Sequence, residues 1–131
     1  MCSSHEERST GLVSRLGEWC PQGTLLFHYS DSNSLGEQHR VDIMKALKSR
    51  CPVADCAFDE DRVIENFDAQ KKGLRATIDK YGANAIVVDA SVLTKRHLLL
   101  LLRWLDDCNC WDRLWITYTE PEEYEIEGHL P

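Results

Sequence analysis

The sequence predicts an α/β domain built on parallel strands, and three observations carry that reading. Residues 85–88 (Ala-Ile-Val-Val) are an apolar run, three of them β-branched, which suits an interior strand buried on both faces. Asp89 stands where that strand should stop, and a polar turn runs on to Lys95, with Ser91 or Thr94 placed to cap the next helix. Residues 98–102 are five consecutive leucines, inside a helix apolar on nearly every side. The near-continuous apolar segment 24–29 (Thr-Leu-Leu-Phe-His-Tyr) opens the same strand-turn-helix grammar earlier in the chain.

Taken in order, residues 1–10 are polar and expected to fray. Leu12, Val13, Leu16 and Trp19 recur at helical spacing, so residues 10–19 are expected to form a short amphipathic helix, ended by Cys20-Pro21-Gln22-Gly23. After the strand at 24–29 comes a loop of small polar residues, Ser30-Asp31-Ser32-Asn33-Ser34. Such residues bond their own backbone, cap helices and leave N–H groups for a ligand. The helix over 37–49 should face Val41, Met44, Leu47 and Ile43 inward, and Cys51-Pro52 closes it. Residues 53–58 read as a weak edge strand interrupted by Asp55. Asp59-Glu60-Asp61 suits a helix start, and Val63, Ile64, Phe67, Leu74, Ile78 and Tyr81 mark a long helix on one stripe. Gly82 falls where a left-handed C-terminal residue belongs. The strand at 85–88 and its leucine helix follow, then a loop over 106–112, a strand at 114–118 and an acidic end. The organisation expected is an N-terminal segment (1–23), an α/β domain (24–119) and an acidic tail (120–131).

Right-handed crossovers turn this succession into a three-layer α/β/α Rossmann-like (flavodoxin-like) sandwich with about four parallel strands. Numbering the predicted strands in chain order, the arrangement is 2-1-3-4. That order opens a crevice between residues 30–34 and 89–95, at the carboxyl ends of neighbouring strands. Four strands are few for such a sheet, so the chain could be the front domain of something longer, and its last strand would then expect a further neighbour. The five leucines cover more than one helical circumference, and the side away from the sheet needs a cover. The N-terminal helix with Trp19 is one cover; a homodimer or partner domain seated on Leu98, Leu99 and Leu102 is the other.

The bulk properties exclude some classes. With 131 residues, 43% hydrophobic and 28% charged, the chain has the makeup of an ordinary globular domain able to bury a core unaided. A net charge of −7 argues against binding duplex nucleic acid, which needs a basic face. No membrane partner is expected, since the longest apolar run is the leucine stretch. Six cysteines without a secretory pattern point to a cytoplasmic setting and free thiols. Their spacings, Cys51-x4-Cys56 and Cys108-x-Cys110, are not those of zinc knuckles. No cofactor is expected, because neither a Gly-x-Gly-x-x-Gly nor a Walker loop is present.

Candidate chemistry concentrates at the predicted crevice. Asp31, Asp89 and Glu120 lie just past strand ends and could hold Mg²⁺ for phosphoryl transfer; equally, they could end strands and cap helices. Ser30, Ser32, Ser34 and Ser91 are the hydroxyls available as nucleophiles, with His28, His39 and His97 as bases, none in a nucleophile elbow. His28 reads as a satisfied strand histidine and His97 as solvent-facing. Two hydroxyl-rich loops with Lys95 at the helix start suit an anionic, nucleotide-like ligand. The candidate binding set is Ser30, Asp31, Ser32, Asn33, Ser34, Asp89, Ser91, Thr94 and Lys95.

Two family resemblances follow from these residues. The segment Ala85-Ile86-Val87-Val88-Asp89-Ala90-Ser91-Val92-Leu93-Thr94-Lys95, its leucine-rich helix and the strand Leu114-Trp115-Ile116-Thr117-Tyr118 resemble the last strand-helix-strand unit of CRISPR-associated Rossmann-fold (CARF) sensor domains. That resemblance implies a dimeric sensor of cyclic oligonucleotides contacted by Ser91, Thr94, Lys95 and residues 30–33. The chain departs from the pattern in having Val92-Leu93 where the family has a glycine pair. Leu26-Phe27-His28-Tyr29-Ser30 and residues 87–91 are similar to strands of Toll/interleukin-1 receptor (TIR) domains. Residues 94–105 contain no glutamate, so the NAD cleavage of some TIR members is not implied. The expectation is a ligand-sensing or regulatory domain of a prokaryotic defence or signalling system, leaning away from catalysis. An interaction module without ligand and a metal-dependent phosphoesterase or TIR-like enzyme are the alternatives.

Overall fold

A computed structural model describes residues 1–4, 6–30, 33–59, 61–82 and 84–122. In order, the elements are β1 (Cys2–Ser3), a 3-10 turn (Glu7–Thr10), α1 (Gly11–Ser14), β2 (Thr24–Tyr29), α2 (Ser34–Lys48), β3 (Val53–Phe58), α3 (Val63–Tyr81), β4 (Ile86–Asp89), α4 (Lys95–Asp107), a 3-10 turn (Trp111–Arg113) and β5 (Leu114–Thr117). The fold is mixed α/β with parallel strands, and these divide into two small sheets, β1-β2-β3 and β4-β5.

That division corrects the expected order. The outer pairs of 2-1-3-4 are present: β2 runs beside β3 from Thr24↔Val53 to Tyr29↔Phe58, and β4 beside β5 from Ile86↔Leu114 to Asp89↔Thr117. The central pair, β2 with β4, is not laddered. The free edge of β2 is taken by β1, through Cys2↔Phe27 and Ser3↔His28. The Met1 amine donates to Leu25 O (3.1 Å), and Phe27 N–H donates to Met1 O (2.9 Å). The N-terminus is therefore built in rather than frayed, with Cys2, Ser3, Ser4 and Ser9 all buried. Its polarity misleads because backbone pairing, which any side chain permits, is what holds it.

The alternation of β2 sorts the helices. Leu26 joins Ile43 and Leu47 of α2, with Val13 and Leu16 packed alongside. Leu25 and Phe27 face the opposite way, into a larger cluster with Leu74 and Ile78 of α3, Val88, and Leu101, Trp104 and Leu105 of α4. The helix expected over residues 10–19 is only α1, and it sits on α2, so it does not cover the leucine helix; Trp19 is exposed. Inward positions of α2 are Gly36, Ile43 and Leu47, whereas Val41 is exposed. On α3, Ile64 is likewise exposed. Both fall off the stripe set by their buried neighbours.

Local chemistry sets the ends. Asn33 Oδ1 accepts from Gly36 N–H (2.9 Å) to start α2, and Thr94 Oγ1 accepts from His97 N–H (3.3 Å) to start α4. Gly82 closes α3 at φ −83°, not in the left-handed region. Left-handed backbone occurs instead at Gly17 and at Asn109, just past α4. Buried Gln70 donates to Ala57 O (3.0 Å), tying α3 to edge strand β3. Among the described residues, no helix is long and apolar enough to cross a membrane, and all six cysteines are free thiols.

Candidate functional site

The carboxyl ends of β1, β2, β3 and β4 gather most of the buried polar groups: Ser3, Ser4, Ser9, Asp89, Ser91 and His97. Tyr29, last residue of β2, joins the two loops predicted to form the crevice. Its hydroxyl accepts from Thr94 N–H (2.9 Å) and donates to Val92 O (3.3 Å). The turn after β4 is thus pinned to the end of β2 although the strands share no ladder.

The predicted site residues separate by role. Asp89 is buried, and its Oδ1 accepts from Ser91 N–H (3.2 Å) and from the Ser91 hydroxyl. Ser91 Oγ in turn accepts from Thr119 N–H (2.9 Å), so this pair ties β4 to the segment beyond β5. Thr94 and Asn33 are helix caps, and the Ser30 hydroxyl donates to Phe58 O (3.1 Å). Ser34 and Lys95 are exposed at the starts of α2 and α4. Asp31 and Ser32 lie outside the described residues. Of the interface leucines, Leu99 is 68% exposed, while Leu98 and Leu102 are half-buried.

Of the candidate serines, Ser30, Ser34 and Ser91 make no hydrogen bond to a histidine among the described residues; a different serine does. Ser9 Oγ lies 3.3 Å from His39 Nδ1, which is also 2.8 Å from Ser4 O. A carbonyl only accepts, so Nδ1 carries the proton and is spent on Ser4. The Ser9 hydroxyl points to Ser4 O (3.4 Å) and is fully buried. This geometry fixes the N-terminal segment to α2 and does not activate a nucleophile. His28 Nδ1 meets Asp55 Oδ1 (2.9 Å), whose other oxygen takes Arg40 (2.6 Å). Among the described residues no group of three potential ligands converges on a metal position, and Glu120 is exposed while Asp89 is buried.

His97 corrects the expectation of a solvent-facing residue. It is 0% exposed, stacked on Phe58 and edge-on to Phe27, with no hydrogen-bond partner for either ring nitrogen among the described residues. Burial pushes its pKa down to about 3, aided by the nearby Met1 ammonium, and the imidazole is neutral. The signal was in the spacing, since residues 97, 101, 104 and 105 share one helical face. Tyr29 was missed because it looked like the apolar end of a strand. Asp89 Oδ2 is also buried without a partner among the described residues, as are Arg40 Nε, Trp104 Nε1 and Arg113 Nε.

The N-terminal segment spans this end of the molecule. Beyond its contact with His39, Arg8 Nη1 donates to Tyr118 OH (2.8 Å) and Arg15 Nη1 to Thr119 Oγ1 (3.3 Å). It links α2 to the chain just past β5. Set against family models, curated proteins and solved structures, the chain finds no match.

Proposed function

We propose that this chain is a regulatory, non-catalytic α/β domain that binds an anionic, nucleotide-like ligand over the carboxyl ends of β2 and β4. The observation that carries this reading is the Tyr29 clamp. It holds the start of α4 beside the end of β2, with Ser34 and Lys95 exposed at the two helix starts. Helix N-termini with a flexible lysine suit phosphate oxygens. Asp89, Ser91, Asn33 and Thr94 serve this site by shaping its loops, their side chains being engaged with backbone. On this reading the two sheets act as one Rossmann-like layer, and a cyclic oligonucleotide of a defence or signalling pathway is the ligand class to try first. The test is a thermal-shift panel of nucleotides and cyclic oligonucleotides on wild type and Lys95→Ala. A saturable shift that the variant loses supports the reading, and no shift from any of them removes it.

A second reading, an association module, is favoured by a separate observation. Leu99 is 68% exposed on α4, and Trp115 and Ile116 are 67% and 52% exposed on β5. Successive strand residues point to opposite faces, so β5 is bare on both. A homodimer or partner domain seated there would bury them. Light scattering on wild type, Leu99→Glu and Trp115→Glu separates a dimer that these changes dissolve from a monomer indifferent to them.

A further inference from the structure

The gap between β2 and β4 is only half filled. Because β1 and the Met1 amine reach no further back than Leu25, the amino end of β2 has β3 on one side and no strand on the other. A cavity of about 280 Å³ occupies the remaining space, walled by Leu25, Leu74, Ile78, Ile86, Val88 and Leu101. Its lining reaches the exposed residues Trp19 and Ala85. The mouth is therefore at the amino ends of β2 and β4, the far end of the strands from Asp89 and Lys95.

The lining decides what can enter. In a chain that is 28% charged, no lining side chain among the described residues is charged. The Met1 ammonium also borders the cavity, but it is held by Leu25 O (3.1 Å), and the hydrocarbon walls offer an entering ion little to replace its hydration. Apolar cavities stay dry and take apolar guests, and one of roughly 150 Å³ accommodates benzene. We propose that this cavity is a binding site for an uncharged apolar small molecule of about ten carbon atoms, independent of the anion site at the opposite end of the strands.

The experiment uses the full chain with two probes, indole and 1-decanol, which separate a fused-ring from a chain-like guest. Two variants reduce the space: Thr77→Phe on the α3 wall and Ala85→Trp at the mouth. The expected result is a saturable rise in Tm with at least one probe, and affinity at least tenfold weaker in the variants. Ala85→Trp changes an exposed position, so the test stands even if Thr77→Phe fails to fold. No saturable shift with either probe would overturn the proposal. So would shifts of equal size in wild type and both variants, which would place the probes elsewhere. Neither result bears on nucleotide binding, which Lys95→Ala reads at the other end.

Discussion

His97 lies flat against Phe58, ring centroids 3.8 Å apart and planes 11° from parallel, and neither residue reaches solvent. The stack joins α4 to edge strand β3 at the point where the carboxyl ends of the strands converge. A neutral imidazole packs there as an aromatic; an imidazolium would be a buried charge with no partner among the described residues.

Stability should therefore fall in mild acid. The folded pKa of about 3 lies below the roughly 6.5 of a free imidazole, so the unfolded chain takes up the proton first. The contribution is fully present above the unfolded value and is lost progressively as pH drops toward 3. The slope approaches about 1.4 kcal/mol per pH unit, or about 2 kcal/mol by pH 5. Urea midpoints between pH 5 and 7.5 should show this slope in wild type and a flatter profile in His97→Phe. Equal slopes in both would assign the acid sensitivity to other groups.

The Tyr29 clamp makes a second expectation. Tyr29→Phe keeps the ring against Phe58, 5.8 Å between centroids, and deletes only the hydroxyl that serves Thr94 N–H and Val92 O. Thr94 is partly exposed but Val92 is buried, so the cost should be about 1–3 kcal/mol. The local effect should be larger than the global one: amide exchange at Thr94 should speed up by more than the loss of stability accounts for. Unchanged protection at Thr94 would mean that the loops are held together without Tyr29.

Gly23, just before β2, is set by Tyr81 at the end of α3. A Cβ on Gly23 would stand 2.4 Å from the Tyr81 ring, an overlap that either the ring or the turn must relieve. Gly23→Ala should cost about 1–3 kcal/mol, and Tyr81→Ser should recover most of that in the double variant. A double-mutant cycle with no coupling between the two positions would contradict this packing.

The sequence and the structure agree where one element suffices to explain its own pattern. The apolar runs of β2 and β4, a cap for α4 at Ser91 or Thr94, and α3 itself were legible because strand burial, helix capping and a 3.6-residue period are local rules; Asn33 was one of several small polar residues able to cap α2. What was not legible depended on distant partners. Cys2 and Ser3 look like any polar terminus until β2 offers an unpaired edge. His97 looks solvent-facing until Phe58 and Phe27 arrive from two other strands. The crevice residues carried the same ambiguity, since Asp89, Ser91 and Asn33 have the chemistry both of a ligand site and of a turn. Their hydrogen bonds give them to the turns, as they do Ser30, leaving Ser34 and Lys95 as the described members that are exposed with side chains not engaged in capping.

The N-terminal segment offers a direct check on the least expected element. Cys2 is 0% exposed, and burial raises its pKa to about 12, so almost no thiolate is present at pH 8. Cys20, only eighteen positions along, is exposed. If β1 is in place, alkylation of native protein followed by mass spectrometry should label Cys20 first. Cys56 and Cys108, half-buried, should come later, and Cys2 with Cys51 and Cys110 only as the chain unfolds. A frayed terminus would reverse the essential comparison, with Cys2 reacting as fast as Cys20. Labelling of Cys2 should also track urea concentration together with Cys110, because both thiols belong to one core cluster with Val88 and Leu105. If Cys2 became reactive well before Cys110, β1 would be a separately released strand, and the edge of β2 would be open in an otherwise folded protein.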